Sequence, residues 1–146
     1  MIKLKTIKIG SKFKSFELPD TKGNQISTSD FKDKILLIEF WSSVCGPCRQ
    51  SNQELQKVYE VYKHAGFEIF GVSLDLDKKK WLQAIEKDDL KWINTISKKG
   101  INNQIVKSLR IQYIPSNYLI DKYGNILAIC IRPTELKKKL DEILMN

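Results

Sequence analysis

Apolar positions along the chain fall into short unbroken runs separated by helically spaced stripes. Ile35 to Trp41 is a β-rich apolar run, too short for a core helix, and reads as a buried strand that carries one carboxylate, Glu39. After Cys48 the spacing turns helical: Leu55, Val58, Tyr59 and Tyr62 fall at i, i+3, i+4 and i+7. The pattern predicts a helix from Cys45 to about His64, stopped by Gly66. Phe67 to Leu74 is a second apolar run, and a strand–helix–strand unit of this length favours parallel pairing. Upstream, Phe16-Glu17-Leu18 and Gln25-Ile26-Ser27 flank the turn-rich Pro19 to Asn24 and predict a small hairpin.

Downstream, Lys80 to Asp89 reads as a helix with Trp81, Ile85 and Leu82 inward, and Trp92 to Ile96 as a short strand. Trp81 and Trp92 are expected as core anchors, since large aromatic rings bury most of their surface. Ile101, Ile105, Val106 and Leu109 have the spacing of a further helix. Asn117 to Ile120, the turn Asp121 to Asn125, and Ile126 to Ile131 read as an antiparallel strand pair, because so short a link cannot cross over. Cys130 lies in the second of these runs and is expected to act there as a small, inert hydrophobe. Pro133 breaks the chain, and Thr134-Glu135-Leu136 opens a last helix with Leu136, Leu140, Ile143 and Leu144 on one face.

The 146 residues are expected to form one domain over 1–146, long enough to bury a core without disulfide staples. Hydrophobic content of 42% and charged content of 29% are ordinary for a globular protein. The 25 basic and 17 acidic residues give a formal charge of +8, but the lysines are scattered and read as solvated helix faces. Aromatic residues do not interleave with arginine as in a single-strand groove, so no nucleic-acid partner is expected. No apolar run approaches the roughly 20 residues of a membrane span. The N-terminus, Met1 to Lys8, has no apolar leader core, so the chain is expected to be cytoplasmic or a mature form.

Chemistry concentrates at Cys45-Gly46-Pro47-Cys48, where a strand is predicted to give way to a helix. The first turn of a helix presents unpaired N–H groups and the positive end of the dipole, and both stabilise a thiolate. Cys45 is therefore expected to have a lowered pKa and to be nucleophilic, with Cys48 close enough to close a disulfide. Pro47 is tolerated because first-turn N–H groups lack helical partners. The same Cys-x-x-Cys could be half of a zinc site, but a structural zinc takes four Cys or His ligands. Only Cys130 and His64 remain, and His64 lies sixteen residues beyond Cys48 on the same helix, roughly 24 Å away. Redox chemistry is the better reading.

A βαβ half followed by a ββα half, with Cys-Gly-Pro-Cys at the first helix, resembles the thioredoxin fold. Gly10 to Phe16, Gly23 to Ser27 and the Phe31 to Lys34 approach resemble the N-terminal extension of the TlpA/ResA-like thiol-disulfide oxidoreductases, an extension of AhpC/TSA-redoxin type. The segment Trp81 to Ile96 resembles that family's central helix–strand insertion, and Pro115 stands where the family carries a cis-proline. The likeness covers roughly Ile9 to Leu144. It implies an α/β, thioredoxin-like fold: a mixed central sheet flanked by helices, with an N-terminal β-hairpin extension and a central insertion. Three positions depart from the family pattern: Val44 replaces the usual tryptophan before the first cysteine, Ser116 replaces threonine after the proline, and the leader of exported relatives is not seen.

The resemblance implies reduction of protein disulfides through a mixed disulfide on Cys45 that Cys48 resolves. Glu39 stands six residues before Cys45, where thioredoxins carry a buried carboxylate. Burial without a partner would raise its pKa and make it a proton acceptor for Cys48. Asp75 and Asp77 are secondary carboxylates, one of them a helix cap. Trp41, Val44, Gly46, Pro47, Ile114 and Pro115 are expected to form the substrate groove. No cofactor or metal is required; the expected partners are a disulfide-containing protein and an electron-donating reductase, with the chain itself a monomer. The family also implies an extracytoplasmic or periplasmic setting. Two other readings stand beside this one. A peroxiredoxin-like peroxidase would need Pro-x-x-x-Thr-x-x-Cys, where Ile38 and Ser42 stand instead; a non-catalytic binding module could use the same scaffold.

Overall fold

The computed structural model describes residues 7–145; the leader reading at residues 1–6 lies outside them. Strand β3 (Ile35–Trp41) is the centre of the molecule, and all seven of its residues are buried. Fully burying a Leu or Ile side chain contributes about 1.5–3 kcal/mol, which explains why so apolar a run takes the middle of a sheet. It is flanked by β4 (Phe67–Ser73), parallel, and by β6 (Ser116–Ile120), antiparallel. The edges are β5 (Ile93–Ile96) and β7 (Ile126–Ile129), so the order is β5-β4-β3-β6-β7. A separate hairpin, β1 (Glu17–Pro19) and β2 (Gln25–Ser27), forms the N-terminal extension. Phe16 anchors it by meeting Phe70 edge-on at 5.8 Å.

Alternation along β3 divides the interior in two. Ile35, Leu37 and Trp41 face a core built with α1 (Gly46–Tyr62), α2 (Lys78–Asp88) and α4 (Pro133–Leu144). Leu36, Ile38 and Phe40 face the other core, closed by the hairpin and by α3 (Gln104–Ser108). The sheet is thus covered on both faces, as parallel strands require. Trp81 and Trp92 are core anchors as expected, 0% and 4% exposed. Trp92 also explains Gly71: a Cβ there would stand 2.9 Å from the indole Nε1. Gly66, at φ 106°, ends the helical run that began at α1.

Three local expectations are corrected. The helix foreseen across Ile101–Leu109 is a 3-10 turn (Gly100–Asn102) followed by the short α3, because Asn103 breaks it. Its side chain accepts from the Ile105 and Val106 N–H groups, restarting the helix with a cap. Leu82 does not face inward; Trp81 and Ala84 take the buried face of α2 and leave Leu82 on the rim. The last strand stops at Ile129, since Cys130 adopts the left-handed region at φ 56°. Asp77 caps α2 by accepting from Lys79 N and Lys80 N.

Candidate active site

Strand β3 delivers the chain through Ser42-Ser43-Val44 to Cys45, which is the N-cap of α1. Cys45 has extended backbone geometry, and its Sγ accepts from the Cys48 N–H at 3.2 Å. A cap sulfur satisfies one of the helix's orphan donors and sits at the positive end of its dipole. Cys45 and Cys48 are joined as a disulfide, with Cα atoms 5.2 Å apart. The two sulfurs are unequal. Cys45 is half-buried between the exposed Val44 and Gly46-Pro47, whereas Cys48 is 0% exposed and packed in the core.

The loop before Cys45 is held by groups far away in sequence. Asp75, 6% exposed at the end of β4, accepts from Ser42 Oγ (2.9 Å), Ser43 N (3.1 Å), Ser43 Oγ (2.8 Å) and Ser73 Oγ (2.5 Å). Arg49, in the first turn of α1, donates through Nη1 to the Ser43 carbonyl and forms a two-pronged ion pair with Asp88 of α2. The Asp88 hydrogen bond raises the Arg49 pKa further, against the pull of burial. Asp75 therefore anchors the loop. Ser42, Ser43, Arg49 and Asp88 were missed as supports; the adjacent serines before Val44 were the available signal.

Glu39 is 1% exposed on the face of β3 that carries Ile35, Leu37 and Trp41, the face on which α1 packs Cys48. It has a hydrogen-bond partner: Asn117 Nδ2 donates to its Oε1 at 2.9 Å. Burial drives the Glu39 pKa up to about 8; the Asn117 hydrogen bond opposes this, and the charge on Cys130 adds to it. Asn117 went unnoticed although an amide within an apolar strand was a visible signal.

The Ile114–Pro115 bond is cis. Ile114 packs against the core that Cys45 also touches, and beside it a cleft of about 310 Å³ is lined by Ser42, Leu74, Leu76, Ile101, Tyr113 and Ile114. Leu76 and Tyr113 present apolar surface here, at 81% and 64% exposure, and Val44, next to Cys45, is itself 74% exposed. Trp41 is corrected: at 0% exposure it lies beneath the active-site loop and offers a substrate no surface.

Cys130 is corrected as well. Outside β7 and only half-buried, its Sγ lies 3.3 Å from Ser116 Oγ and accepts from Tyr113 Oη at 3.4 Å. Burial pushes its thiol pKa up, but the hydrogen bonds from Ser116, Tyr113 and the Asn117 backbone outweigh that, and the pKa is lowered. His64 sits exposed beyond the far end of α1. Among the described residues, no group of three or more His, Cys, Asp or Glu side chains could hold a metal ion.

A mixed sheet with a Cys-Gly-Pro-Cys disulfide capping its first long helix, and a cis-proline strand alongside, defines a thioredoxin-fold redox protein. The AhpC/TSA family model matches residues 9–129, and the chain belongs to that family. It is similar to the thiol-disulfide oxidoreductase ResA of Bacillus thuringiensis subsp. konkukian (strain 97-27), 30% identical over 138 residues, 94% of this chain and 78% of the relative. Among solved structures, the thioredoxin domain of thiol-disulfide oxidoreductase BVU-2223 from Bacteroides vulgatus matches with TM-score 0.88 and 32% identity over 95% of this chain and 99% of that one. The C-terminal domain of a thiol-disulfide oxidoreductase from Bacteroides thetaiotaomicron matches at TM-score 0.88 and 40% identity, over 94% and 97% of the two chains. The chain is a TlpA/ResA-like thiol-disulfide oxidoreductase of the thioredoxin superfamily.

Proposed function

We propose that the chain, acting as a monomeric single domain, reduces disulfides in protein substrates. The observation that carries this is the inequality of the sulfurs: an accessible helix-capping Cys45 in front of a fully buried Cys48. The Cys45 thiolate attacks one sulfur of the substrate disulfide, forms a mixed disulfide and expels the other substrate sulfur as a thiolate, which takes up a proton. Cys48 then loses its proton to Glu39, attacks Cys45 Sγ and breaks the mixed disulfide. The second substrate sulfur leaves as a thiolate and is protonated. Two electrons and two protons have passed to the substrate, and the Cys45–Cys48 disulfide is closed. A reductase partner restores the dithiol.

Val44, Gly46 and Pro47 on one side, and Ile114 and Pro115 on the other, would flank an extended substrate segment. No helix of the described residues is long and apolar enough to cross a membrane. The likeness to ResA supports an extracytoplasmic setting. The experiment is trapping: Cys48→Ser should accumulate a mixed disulfide on Cys45 with a disulfide-bonded protein, and Cys45→Ser should trap nothing. Insulin reduction with dithiothreitol as donor should be catalysed by the unsubstituted protein. Trapping by the Cys45→Ser protein would reverse the assignment, and peroxide-dependent thiol consumption without insulin reduction would replace the reductase by a peroxidase.

A further inference from the structure

We infer that Asn117 is a positioning residue for proton transfer: it aims the Glu39 carboxylate and sets the pH range in which that carboxylate can take the Cys48 proton. The inference rests on the proposed relay from Cys48 to Glu39.

Asn117 is paired with Glu39 in the β3–β6 register, and both side chains are buried. Its amide is fully committed. Nδ2 donates to Glu39 Oε1 and to the Ile131 carbonyl, each at 2.9 Å, and Oδ1 accepts from Ile131 N at 2.9 Å. Rotating the amide by half a turn would set NH₂ against the Ile131 N–H, and an oxygen against both the Ile131 carbonyl and Glu39. Both contacts to Ile131 would then mismatch, and so would an ionised Glu39, so the polarity is fixed by Ile131 and Asn117 presents a donor to Glu39. The backbone supports this. Cys130 N donates to the Asn117 carbonyl at 2.8 Å, and the left-handed Cys130 turns Ile131 so that both its N and O meet one amide.

The surroundings leave this bond influential. On β4 the residue paired with Glu39 is Gly71, which has no side chain. Among the described residues, the charged group that acts on Glu39 is Cys130, from the segment after β7, and Cys48 of α1 lies in the core on the same face of β3. A donor to a carboxylate stabilises its charged form, while burial and a neighbouring thiolate oppose it. Asn117 is thus the group that keeps Glu39 able to ionise near neutral pH. Hydrogen bonds to charged groups are strong enough that losing one moves a buried carboxylate's titration by about one pH unit or more.

The test follows both thiol steps with 5,5′-dithiobis(2-nitrobenzoate), in full-length reduced protein carrying Cys130→Ala to remove the third thiol. Attack by Cys45 releases one thionitrobenzoate, and resolution by Cys48 releases the second. Rates of both phases are read from pH 5.5 to 9.5 for the parent, Asn117→Ala, Glu39→Gln and the double variant. Asn117→Ala should move the rising limb of the second phase up by about one pH unit and slow it about tenfold at pH 7. The first phase should be unchanged, and the double variant should track Glu39→Gln, which lacks the limb. A limb that stays in place in Asn117→Ala but vanishes in Glu39→Gln overturns the role of Asn117 and leaves the relay standing. A limb that survives Glu39→Gln overturns the relay and the inference with it. Should Asn117→Ala not fold, Asn117→Val, compatible with a strand and without a donor, gives the same readout. NMR titration of the Glu39 carboxyl then supplies a second: an unmoved titration refutes the inference.

Discussion

Replacing Glu39 by Gln isolates the cost of burying one carboxyl group. In the oxidised protein that group holds its proton up to about pH 8, against an ordinary value of 4.5. Between those values the folded chain binds one more proton than the unfolded chain. Stability must therefore fall as pH rises through this window, by up to 1.36 kcal/mol per pH unit, because deprotonation is easier once the chain unfolds. Below about pH 4.5 both states are protonated and the penalty is absent. Above about pH 8 it is complete, and the gap corresponds to about 5 kcal/mol. That is comparable with the whole stability of a small domain.

Glu39→Gln removes the titration while keeping the shape and an oxygen for the Asn117 donor. The two proteins should have similar stability at pH 4.5, and the variant should be more stable by about 3 kcal/mol at pH 7 and about 5 kcal/mol at pH 8.5. Urea unfolding of both oxidised proteins across this range is the assay. Every other titrating group is common to the pair, so the difference reports Glu39 in its native surroundings, Cys130 included. Parallel pH profiles, or a difference that shrinks as pH rises, would refute the reasoning.

Two further expectations follow from the supports of the site. Asp75→Ala strands three serine hydroxyls and the Ser43 N–H; it should cost about 3 kcal/mol in urea unfolding and slow attack by Cys45, and a loss under about 0.5 kcal/mol would remove Asp75 as the loop's anchor. In the oxidised protein Cys130 is the free thiol, and its lowered pKa and partial exposure predict alkylation by iodoacetamide under native conditions at neutral pH. Tyr113→Phe should slow that labelling by removing a donor to the sulfur, and labelling only after denaturation would restore Cys130 to the inert core.

The parts of the fold legible in the sequence are those decided by neighbours along the chain. The apolar run Ile35–Trp41, the helical stripe after Cys48 and the stop at Gly66 are local patterns, and each became the expected element. The hairpin and the parallel β3–β4 pairing followed from loop length and crossover rules. Misreadings occurred where one residue overrode its local pattern. Asn103 has a side chain that competes for backbone N–H groups, so a helical stripe became a turn, a cap and a short helix. Cys130 ends an apolar run that looks like uninterrupted strand, yet its left-handed backbone takes it out of the ladder and toward Ser116 and Tyr113.

The site divides along the same line. Its redox half is written within four consecutive residues, because a helix N-terminus and two thiols need only the Cys45–Cys48 turn. The surroundings of its buried carboxyl group are spread over the sheet: Glu39 on β3, Asn117 on β6 and Cys130 beyond β7 meet only through strand order and register. Separations of that kind leave no periodic trace in a sequence. A polar residue in an otherwise buried strand is the remaining clue, and here there are two facing each other, Glu39 and Asn117. Burying such a pair is costly unless its hydrogen bonds are made. The bond between them, together with the commitment of Asn117 to Ile131, lets a buried carboxyl group keep a hydrogen-bond donor in the middle of the sheet, with its titration moved up to about 8.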